Sequence, residues 1–431
     1  MSASAAARTA ARAAYSLLLR IAMPLYLLRV LWRGRAEPLY STAIGERIGR
    51  YRGAVPPGAL WIHAVSLGET RAAAPLLAAL RHARPGLRLL LTHGTATGRA
   101  AGQELLREGD LQAWLPWDTP GGVRRFLAHF APVGGVLMET EIWPNVLAEA
   151  KARALPVMLA NARLSERSGR RGRRVDALLR QAFESLAAAF AQTEVDAARL
   201  RDAGVGEVVV AGNLKFDLAP EASLVERGKD WKRALLARPV LLAAVTREGE
   251  EARLLAAWRA VPVPRPLLVV VPRHPQRFDA VAALIAEAGF GLSRRSAWGE
   301  SPPGDAAAAD VWLGDSMREM PVWYALADVA LLGGSFEPLG GQNLIEAAAC
   351  GCPVVMGPHT FNFADAAELA LAAGAAIRVA TLEEGVVRAL ALAEQDDERR
   401  QRGAAGLAFA AAHRGAAARM AEGILGRLPD A

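Results

Sequence analysis

Short apolar runs alternate with longer helix-forming stretches through both halves of this chain. Such runs, bounded by turn residues and separated by helical stretches, are typical of βα units in an open α/β sheet. A chain of 431 residues is also too long for one ordinary core. The pattern therefore predicts two α/β domains, residues 36–212 and 213–431, preceded by a separate segment, residues 1–35. The last helix of the second domain is also a candidate to pack back on the first domain.

The predicted strands of both domains come from these apolar runs. Those of the first domain are Ala59–Val65, Leu87–Thr92, a strand ending with Trp114–Asp118, Val133–Met138, Pro156–Ala160, Leu186–Ala191 and Val208–Val210. Those of the second domain are Val240–Val245, Leu267–Val271, Val311–Leu313, Val329–Leu332 and Val354–Met356. We expect Asp118 or Thr119 to cap the helix that follows the third strand.

Composition narrows the class of protein. The chain is 52% hydrophobic and 22% charged, which is typical of a globular protein and not of a disordered one. Its two cysteines, Cys350 and Cys352, are separated by one glycine, and we expect both to be small buried residues in a reducing compartment. The histidines form no cluster at metal-ligand spacing, so we expect no structural zinc. The net charge of +7 favours an anionic partner, which a phosphate ligand, a nucleic acid or a membrane would each satisfy.

The segment Tyr15–Trp32 is strongly apolar, but Arg20, Pro24 and Arg29 interrupt it. A helix that spans a membrane needs about 20 apolar residues with few charges. The segment therefore predicts a helix that lies in a bilayer or inserts shallowly, with arginines reaching the headgroups. An ordinary core helix is the alternative, and a secretory signal peptide is less favoured because no small-residue cleavage site follows. The basic flanks predict a cytoplasmic location for the rest of the chain.

Acidic residues follow two predicted strands of the first domain. Ser66, Gly68 and Glu69 come after the first strand, and Glu139 comes after the strand that ends at Met138. The carboxyl ends of strands in an open α/β sheet are where ligands bind, so we expect Glu69 and Glu139 to face one cleft. The alternative for Glu69 is a helix cap, with an acid that suits the helix dipole.

A glycine-rich loop, Gly333–Gly341, lies between a predicted strand and a helix over Asn343–Cys350 in the second domain. Glycines let a backbone approach a phosphate, and N–H groups at a helix start favour an anion. Glu346 in the first turn is placed to accept ribose hydroxyls. A tight turn is the alternative for a lone loop of this kind. Arg273 follows another strand end, and its planar fork of donors suits phosphate.

Three further groups have both a functional and an ordinary interpretation. Lys215 lies where the chain passes between the domains, beside the expected cleft, or it is an ordinary surface lysine. Glu46 is a candidate general base, second to Glu69, although its position before the first strand makes a structural ion pair the better expectation. The arginines at 170, 171, 173 and 174 predict a solvated helix face that is also suited to anionic lipid.

Several of these segments together resemble the 3-deoxy-D-manno-octulosonic acid (Kdo) transferases of lipopolysaccharide assembly. The resemblance runs in the same order from the apolar N-terminus to about residue 365. The matching motifs are Ser66–Thr70, Glu139–Asn145, Asn161–Ser165, Leu214–Asp217, Val271–Pro275, Gly333–Glu346 and Met356–Phe363.

The resemblance implies a GT-B glycosyltransferase, with two Rossmann-like domains that face an interdomain cleft. It implies CMP-Kdo as the donor and a lipid A precursor as the acceptor, with inversion at the anomeric centre and no cofactor or metal. It also implies a location at the cytoplasmic face of the inner membrane, an anionic membrane surface as partner, and no nucleic acid.

The resemblance also implies roles for individual residues. Glu69 matches the family's catalytic base, and Glu139 and Lys215 match residues with transition-state roles. The CMP contacts of the family fall on residues in three stretches of this chain: Pro272 and Arg273; Met317, Arg318 and Glu319; and Asn343, Leu344, Ile345 and Glu346.

The chain departs from the family pattern at three positions. Gln342 and Arg247 stand where histidine is common, and Arg318 stands where glycine is common. Gln342 still forms hydrogen bonds but carries no charge, and we expect Arg318 to contribute backbone contacts.

Two other functions fit parts of the same pattern. One is a different enzyme of the same fold, such as a UDP-sugar transferase or a nucleotide-sugar epimerase. The other is a non-catalytic protein that binds membranes or nucleic acid through its arginines, which the loops with Glu69, Glu139 and Arg273 disfavour.

Overall fold

The computed structural model describes residues 5–164, 176–236 and 238–429. These form two compact units, the first made of residues 1–218 and 414–431 and the second of residues 219–413. The arginines at 170–174, for which the sequence predicts a solvated helix face, lie outside the described residues.

The N-terminal helix α1 (Ala5–Arg33) lies against the first unit along one face. Ser16 donates a hydrogen bond to the Oδ1 of Asn145 at 3.1 Å, and the ring of Tyr26 stacks on Trp117 at 4.0 Å between centroids. Apolar side chains occupy the outer face and are 49–70% exposed. They are Leu17, Leu18, Ile21, Leu25, Leu28, Leu31 and Trp32. This exposure excludes an ordinary core helix. Among the described residues, α1 is the one helix with the length and composition to cross a membrane.

The first unit contains a parallel sheet of seven strands in the order β3-β2-β1-β4-β5-β6-β7. The strands are β1 (Leu60–His63), β2 (Leu89–His93), β3 (Leu111–Trp114), β4 (Gly134–Met138), β5 (Val157–Ala162), β6 (Ala188–Ala191) and β7 (Val208–Val210). The connecting helices are α2 (Leu67–Ala83), α3 (Ala96–Gln103), α4 (Pro120–Phe130), α5 (Pro144–Lys151), α6 (Asp176–Phe183) and α7 (Glu194–Ala203). Both faces of the sheet are covered, as expected for parallel strands.

The second unit contains another parallel sheet of seven strands, in the order β10-β11-β9-β8-β12-β13-β14. The strands are β8 (Val240–Thr246), β9 (Leu267–Pro272), β10 (Leu292–Arg294), β11 (Val311–Leu313), β12 (Val329–Leu332), β13 (Val354–Met356) and β14 (Ala376–Arg378). The helices are α8 (Ala222–Ala234), α9 (Glu250–Arg259), α10 (Phe278–Glu287), α11 (Met320–Leu326), α12 (Leu344–Ala349), α13 (Ala364–Ala372), α14 (Leu382–Glu394) and α15 (Asp396–Ala412).

The last helix, α16 (Ala416–Leu425), belongs to the first unit. Its Met420 and Ile424 are fully buried in the same apolar layer as Leu60 and Leu77 of β1 and α2. The carboxylate of Asp217 holds the start of this helix, because it accepts hydrogen bonds from the N–H groups of residues 415 and 417, both at 2.6 Å.

The predicted end of the third strand was wrong. The third strand ends at Trp114, and the apolar segment after it is a buried loop outside the sheet. Asp118 at the end of that loop caps α5 instead of α4, accepting hydrogen bonds from the N–H groups of Asn145 and Val146 at 3.1 and 2.8 Å. Thr119 is the residue before α4, as expected, although its side chain makes no capping hydrogen bond. The sequence analysis also missed β10 and β14.

Candidate active site

In each sheet the order of the strands reverses at one position, and in the first sheet the predicted acidic residues lie at that position. In the first sheet β1 pairs with β2 on one side and with β4 on the other. The strand that follows β1 is therefore added at one side of the sheet, and the strand that follows β4 is added at the other side. Ligands of open α/β sheets bind outside the carboxyl ends of the strands at such a switch point. Glu69 follows β1 and Glu139 follows β4, so both predicted acidic residues lie at the switch point of the first unit.

Glu69 lies in the first turn of α2, whose N-cap residue is Ser66. The Ser66 hydroxyl donates to the Oε1 of Glu69 at 2.8 Å, and the N–H of Val65 donates to its Oε2 at 2.9 Å. The Ser66 hydroxyl also accepts a hydrogen bond from the N–H of Glu69 at 3.4 Å, so the N-cap residue and the acid of the first turn hold each other, as in a capping box. The helix-cap interpretation of Glu69 is therefore confirmed, and the same bonds fix where the carboxylate lies.

The electrostatic surroundings of Glu69 suit a base. Burial raises the pKa of Glu69 above its ordinary value, and the hydrogen bonds from Ser66 and Val65 only partly oppose this rise. The negative charge of Glu139 raises the pKa further. A carboxylate whose pKa is brought towards neutrality takes a proton more readily.

Two glutamates follow β4. Glu139 has a left-handed backbone with φ of 57°, which is uncommon for a residue with a side chain, and its N–H donates to the carbonyl of Ala160 at 2.9 Å. Burial, followed by the charges of Glu69 and Glu139, raises the pKa of Glu141 to about 7. Glu141 therefore joins the same cluster of carboxylates. No role was predicted for Glu141, although it lies two residues from Glu139 in the same motif.

Lys215 belongs to the same electrostatic cluster. It lies in a 3₁₀ turn, Leu214–Asp217, where the side chain of Asn213 accepts a hydrogen bond from its N–H at 3.0 Å. Burial lowers the pKa of Lys215, the charge of Glu139 partly offsets this, and the charge of Arg163 reinforces it. The first unit thus brings together Glu69, Glu139 and Lys215, the three residues to which the resemblance gives catalytic roles.

Glu46, the second candidate base, has a structural role. Its Oε2 accepts a hydrogen bond from the N–H of Trp114 at 2.8 Å and lies 3.2 Å from the Nη1 of Arg99. The expected ion pair is confirmed. It joins the segment before β1 to α3, and the hydrogen bond from Trp114 joins the same segment to the end of β3.

The switch point of the second sheet lies between β8 and β12, which pair with each other. The loop after β9, with Arg273, and the glycine-rich loop after β12 lie on either side of β8. Pro272 is the last residue of β9, and the N–H of Arg273 donates to the carbonyl of Thr246 at 2.9 Å. The residue Arg273 is exposed.

The glycine-rich loop has an internal anchor that sequence reasoning missed. Gly334, Gly340 and Gly341 all have positive φ, which a residue with a side chain adopts only with strain. The N–H of Gly334 donates to both oxygens of the buried Glu250 carboxylate, at 2.8 and 2.9 Å. The N–H of Arg247 donates to the same carboxylate at 2.9 Å. Glu250 therefore joins the loops that follow β8 and β12.

The residues after the glycine-rich loop divide into backbone and side-chain candidates. Asn343 is the N-cap of α12, and its Oδ1 accepts a hydrogen bond from the N–H of Ile345 at 3.2 Å. Leu344 and Ile345 are each 1% exposed, so only their backbones can meet a ligand. Glu346 is half-buried in the first turn of the helix.

The loop after β11 offers a different surface. Met317 is 56% exposed, and Arg318 has a left-handed backbone with φ of 67°. Glu319 is held by Arg295, whose Nε and Nη2 donate to its carboxylate at 2.9 and 2.8 Å. Burial raises the pKa of Glu319, but the bonds from Arg295 and Ser316 outweigh burial and lower it overall. The carboxylate of Glu319 is thus already occupied by an arginine.

Cys350 and Cys352 are both free thiols, with Cys352 buried as expected and Cys350 only partly so. Within the described part of the chain, no group of three or more histidine, cysteine, aspartate or glutamate residues is arranged to hold a metal ion.

Comparison with known proteins identifies similar chains. Residues 42–218 match a family model described as 3-deoxy-D-manno-octulosonic-acid transferase (kdotransferase), and residues 326–424 match one described as glycosyl transferase-like. The 3-deoxy-D-manno-octulosonic acid transferase of Bordetella pertussis is 48% identical over 429 residues, which are 96% of this chain and 98% of that protein. The enzyme of the same description from Haemophilus influenzae is 34% identical over 94% of this chain and 96% of that protein.

A solved structure shares the fold. The UDP-GlcNAc 2-epimerase of Neisseria meningitidis, bound to UDP-GlcNAc, matches 86% of this chain and 100% of its own with a TM-score of 0.57 and 15% identity. At this identity the likeness concerns the two-domain α/β arrangement of GT-B proteins and does not extend to the substrate.

Proposed function

Since this chain belongs to the 3-deoxy-D-manno-octulosonic acid transferase family and is a glycosyltransferase, we propose that it transfers Kdo from CMP-Kdo to a lipid A precursor, with Glu69 as the general base. The observation that carries this proposal is the position of the Glu69 carboxylate. It lies at the switch point of the first sheet, held by two hydrogen bonds, with a pKa raised by burial.

The acceptor side of the reaction uses the carboxylate cluster. Glu69 takes the proton from the attacking hydroxyl of the acceptor as the new glycosidic bond forms. A positioned base of this kind contributes roughly 10²–10⁴-fold to the rate. Lys215 offsets negative charge on the donor, and Glu139 keeps Lys215 charged, because its charge opposes the effect of burial on the lysine pKa.

The donor side uses the loops at the switch point of the second sheet. As CMP departs, negative charge grows on its phosphate. Arg273 and the N–H groups of Gln342 and Asn343 stabilise that charge in this proposal. Pro272 and the loop Met317–Glu319 border the nucleotide, and Glu346 accepts a ribose hydroxyl. Attack from the side opposite the departing phosphate inverts the anomeric centre. The proposal needs no cofactor or metal, since CMP-Kdo is a substrate.

The outer face of α1 accounts for access to a lipid acceptor. Its exposed leucines, isoleucine and tryptophan form an apolar surface on a helix that also carries the exposed Arg20 and Arg29. Such a surface binds the interfacial region of a bilayer, and the arginines meet anionic headgroups. We therefore propose that the protein works at the cytoplasmic face of the inner membrane and that nucleic acid is not its partner.

A direct assay tests the proposed function. The full chain is incubated with CMP-Kdo and a tetraacylated lipid A precursor, and the products are weighed by mass spectrometry. A mass increase of one or more Kdo residues is expected. A shift in thermal midpoint with UDP but not with CMP, together with no Kdo product, would instead favour a UDP-sugar enzyme of the same fold.

A further inference from the structure

Arg247 occupies the central position in the second unit. It comes directly after β8, and β8 lies between β9 and β12 in the sheet. The loops that follow these two neighbouring strands are the ones with Arg273 and with the glycine-rich segment. The residue after β8 therefore lies between two loops that are both proposed to meet the donor, although no donor contact has been assigned to it.

Local contacts direct Arg247 towards the glycine-rich loop. Its N–H and the N–H of Gly334 share the Glu250 carboxylate. The Cγ of Arg247 lies 3.5 Å from where a β-carbon on Gly334 would be, and the Nε2 of Gln342 lies 3.2 Å from the same point. The aliphatic part of the Arg247 side chain thus lies against the glycine-rich loop at Gly334, beside the side-chain amide of Gln342.

The charge of Arg247 is not neutralised inside the protein. Within the described residues, its half-buried guanidinium has no carboxylate at ion-pair distance. By contrast, Arg277 lies 2.9 Å from the buried Glu251. Burial, and then the charges of Arg247, Arg273 and Arg277, lower the pKa of His274. Several positive charges therefore converge at the carboxyl ends of β8 and β9.

A half-buried cation with no carboxylate partner favours an anion, and a guanidinium presents paired donors that match phosphate oxygens. We propose that Arg247 binds the phosphate of the nucleotide donor. The proposal rests on the proposed function for the identity of the nucleotide. It extends that function by placing the centre of the phosphate site at the loop after β8, with Arg273 on one side and the glycine-rich backbone on the other.

Isothermal titration calorimetry of the full chain with CMP, UDP and cytidine tests this assignment in Arg247→Gln and Arg247→Lys. Removing a charge-assisted hydrogen bond at a half-exposed site should weaken CMP binding by about tenfold. Arg247→Lys should keep most of the affinity. Cytidine, which has no phosphate, should bind Arg247→Gln and the wild type equally. Added NaCl should weaken CMP binding less in Arg247→Gln than in the wild type, since one charge contact is gone.

The matched control is Arg400→Gln, which removes the same charge from an exposed residue of α15 that pairs with Asp397 at 3.3 Å. It should leave CMP affinity unchanged. Thermal unfolding shows whether each variant is folded, and Arg247→Lys keeps the test usable if Arg247→Gln is not.

The outcomes separate this inference from the proposed function. Wild-type binding of UDP in preference to CMP, with a loss in Arg247→Gln, supports the phosphate site and overturns the CMP donor. Equal affinity of wild type and Arg247→Gln for CMP overturns the phosphate assignment, even if turnover of CMP-Kdo falls, because that pattern places the arginine on the sugar carboxylate. Absence of any nucleotide binding overturns both.

Discussion

Glu69 is held by the same hydrogen bonds that begin its helix, so replacing it affects a cap and a proposed base together. In Glu69→Gln the amide keeps the shape of the side chain but cannot take a proton. We expect turnover to fall by about 10²-fold or more while CMP affinity stays unchanged. In the wild type, turnover should fall with decreasing pH at a higher pH than an exposed glutamate would give, because the pKa of Glu69 is raised and the base must be ionised. Steady-state kinetics across pH measures both effects.

Glu46→Gln is the control for this experiment. It breaks a structural ion pair with Arg99, so it should lower thermal stability and leave turnover close to wild type. Near-normal turnover in Glu69→Gln, or loss of turnover confined to Glu46→Gln, would remove Glu69 from the role of base.

Glu141 predicts a pH dependence of stability. Its pKa is about 7 in the folded chain and close to the ordinary value of 4.5 when unfolded. The folded state therefore binds the proton more tightly than the unfolded state. The resulting contribution to the free energy of unfolding is complete below about pH 4.5 and is lost as pH rises through 7. Its loss amounts to at most about 3 kcal/mol, from the difference of about 2.5 pKa units. Glu141→Gln has no such titration, so it should gain stability relative to wild type between pH 5 and 8. Urea unfolding at several pH values tests this, and parallel curves would contradict it.

The positions of Glu69, Glu139 and Arg273 after strand ends were predictable, because each follows an apolar run. Glu250 was not predictable, because its role is set by a contact with Gly334, 84 positions away in the chain. The cluster position of Glu141 was equally hidden, since it depends on how β1 and β4 pair.

Strands in the middle of each sheet were predicted within two residues of their observed ends, because continuous burial on both faces leaves an unbroken apolar run. The missed strands, β10 and β14, are three-residue strands at the two edges of the second sheet, where such a run is short and partly exposed. The third strand was misplaced because the buried loop after Trp114 is as apolar as a strand. Periodicity cannot separate a buried loop from a buried strand.

Helix α1 predicts how the protein meets lipid. Ile21 and Leu25 are 67% and 70% exposed on its outer face. Changing both to glutamate should weaken binding to anionic vesicles by about tenfold or more, because burial of each apolar side chain contributes on the order of 1.5–3 kcal/mol. Co-sedimentation with phosphatidylglycerol vesicles measures this, and CMP affinity should not change. Val195→Glu, which alters a residue of α7 that is 56% exposed, is the control. Undiminished sedimentation of the double variant would show that another surface binds the membrane.

The two units divide the proposed chemistry, and this division is measurable in the whole chain. CMP should slow amide hydrogen exchange in the loops after β8, β9 and β12, all in the second unit. Peptides that contain Glu69 and Glu139 should be unaffected by CMP alone, since the proposed donor contacts lie elsewhere. Hydrogen exchange with mass spectrometry, with and without CMP, makes the comparison. Protection that is strongest around Glu69 would contradict the division.

The position of α16 has a consequence for folding during translation. Its residues are translated after the entire second unit, yet Met420 and Ile424 fill the apolar layer beside Leu60 and Leu77. While the ribosome adds residues 219–413, the apolar layer is not covered by α16. An apolar layer that is exposed to solvent makes a chain prone to proteolysis and aggregation. The first unit is therefore translated first but completes its core last. A nascent chain that stalls before Ala416 has the loops with Glu69 and Glu139 on a sheet whose apolar layer still lacks α16.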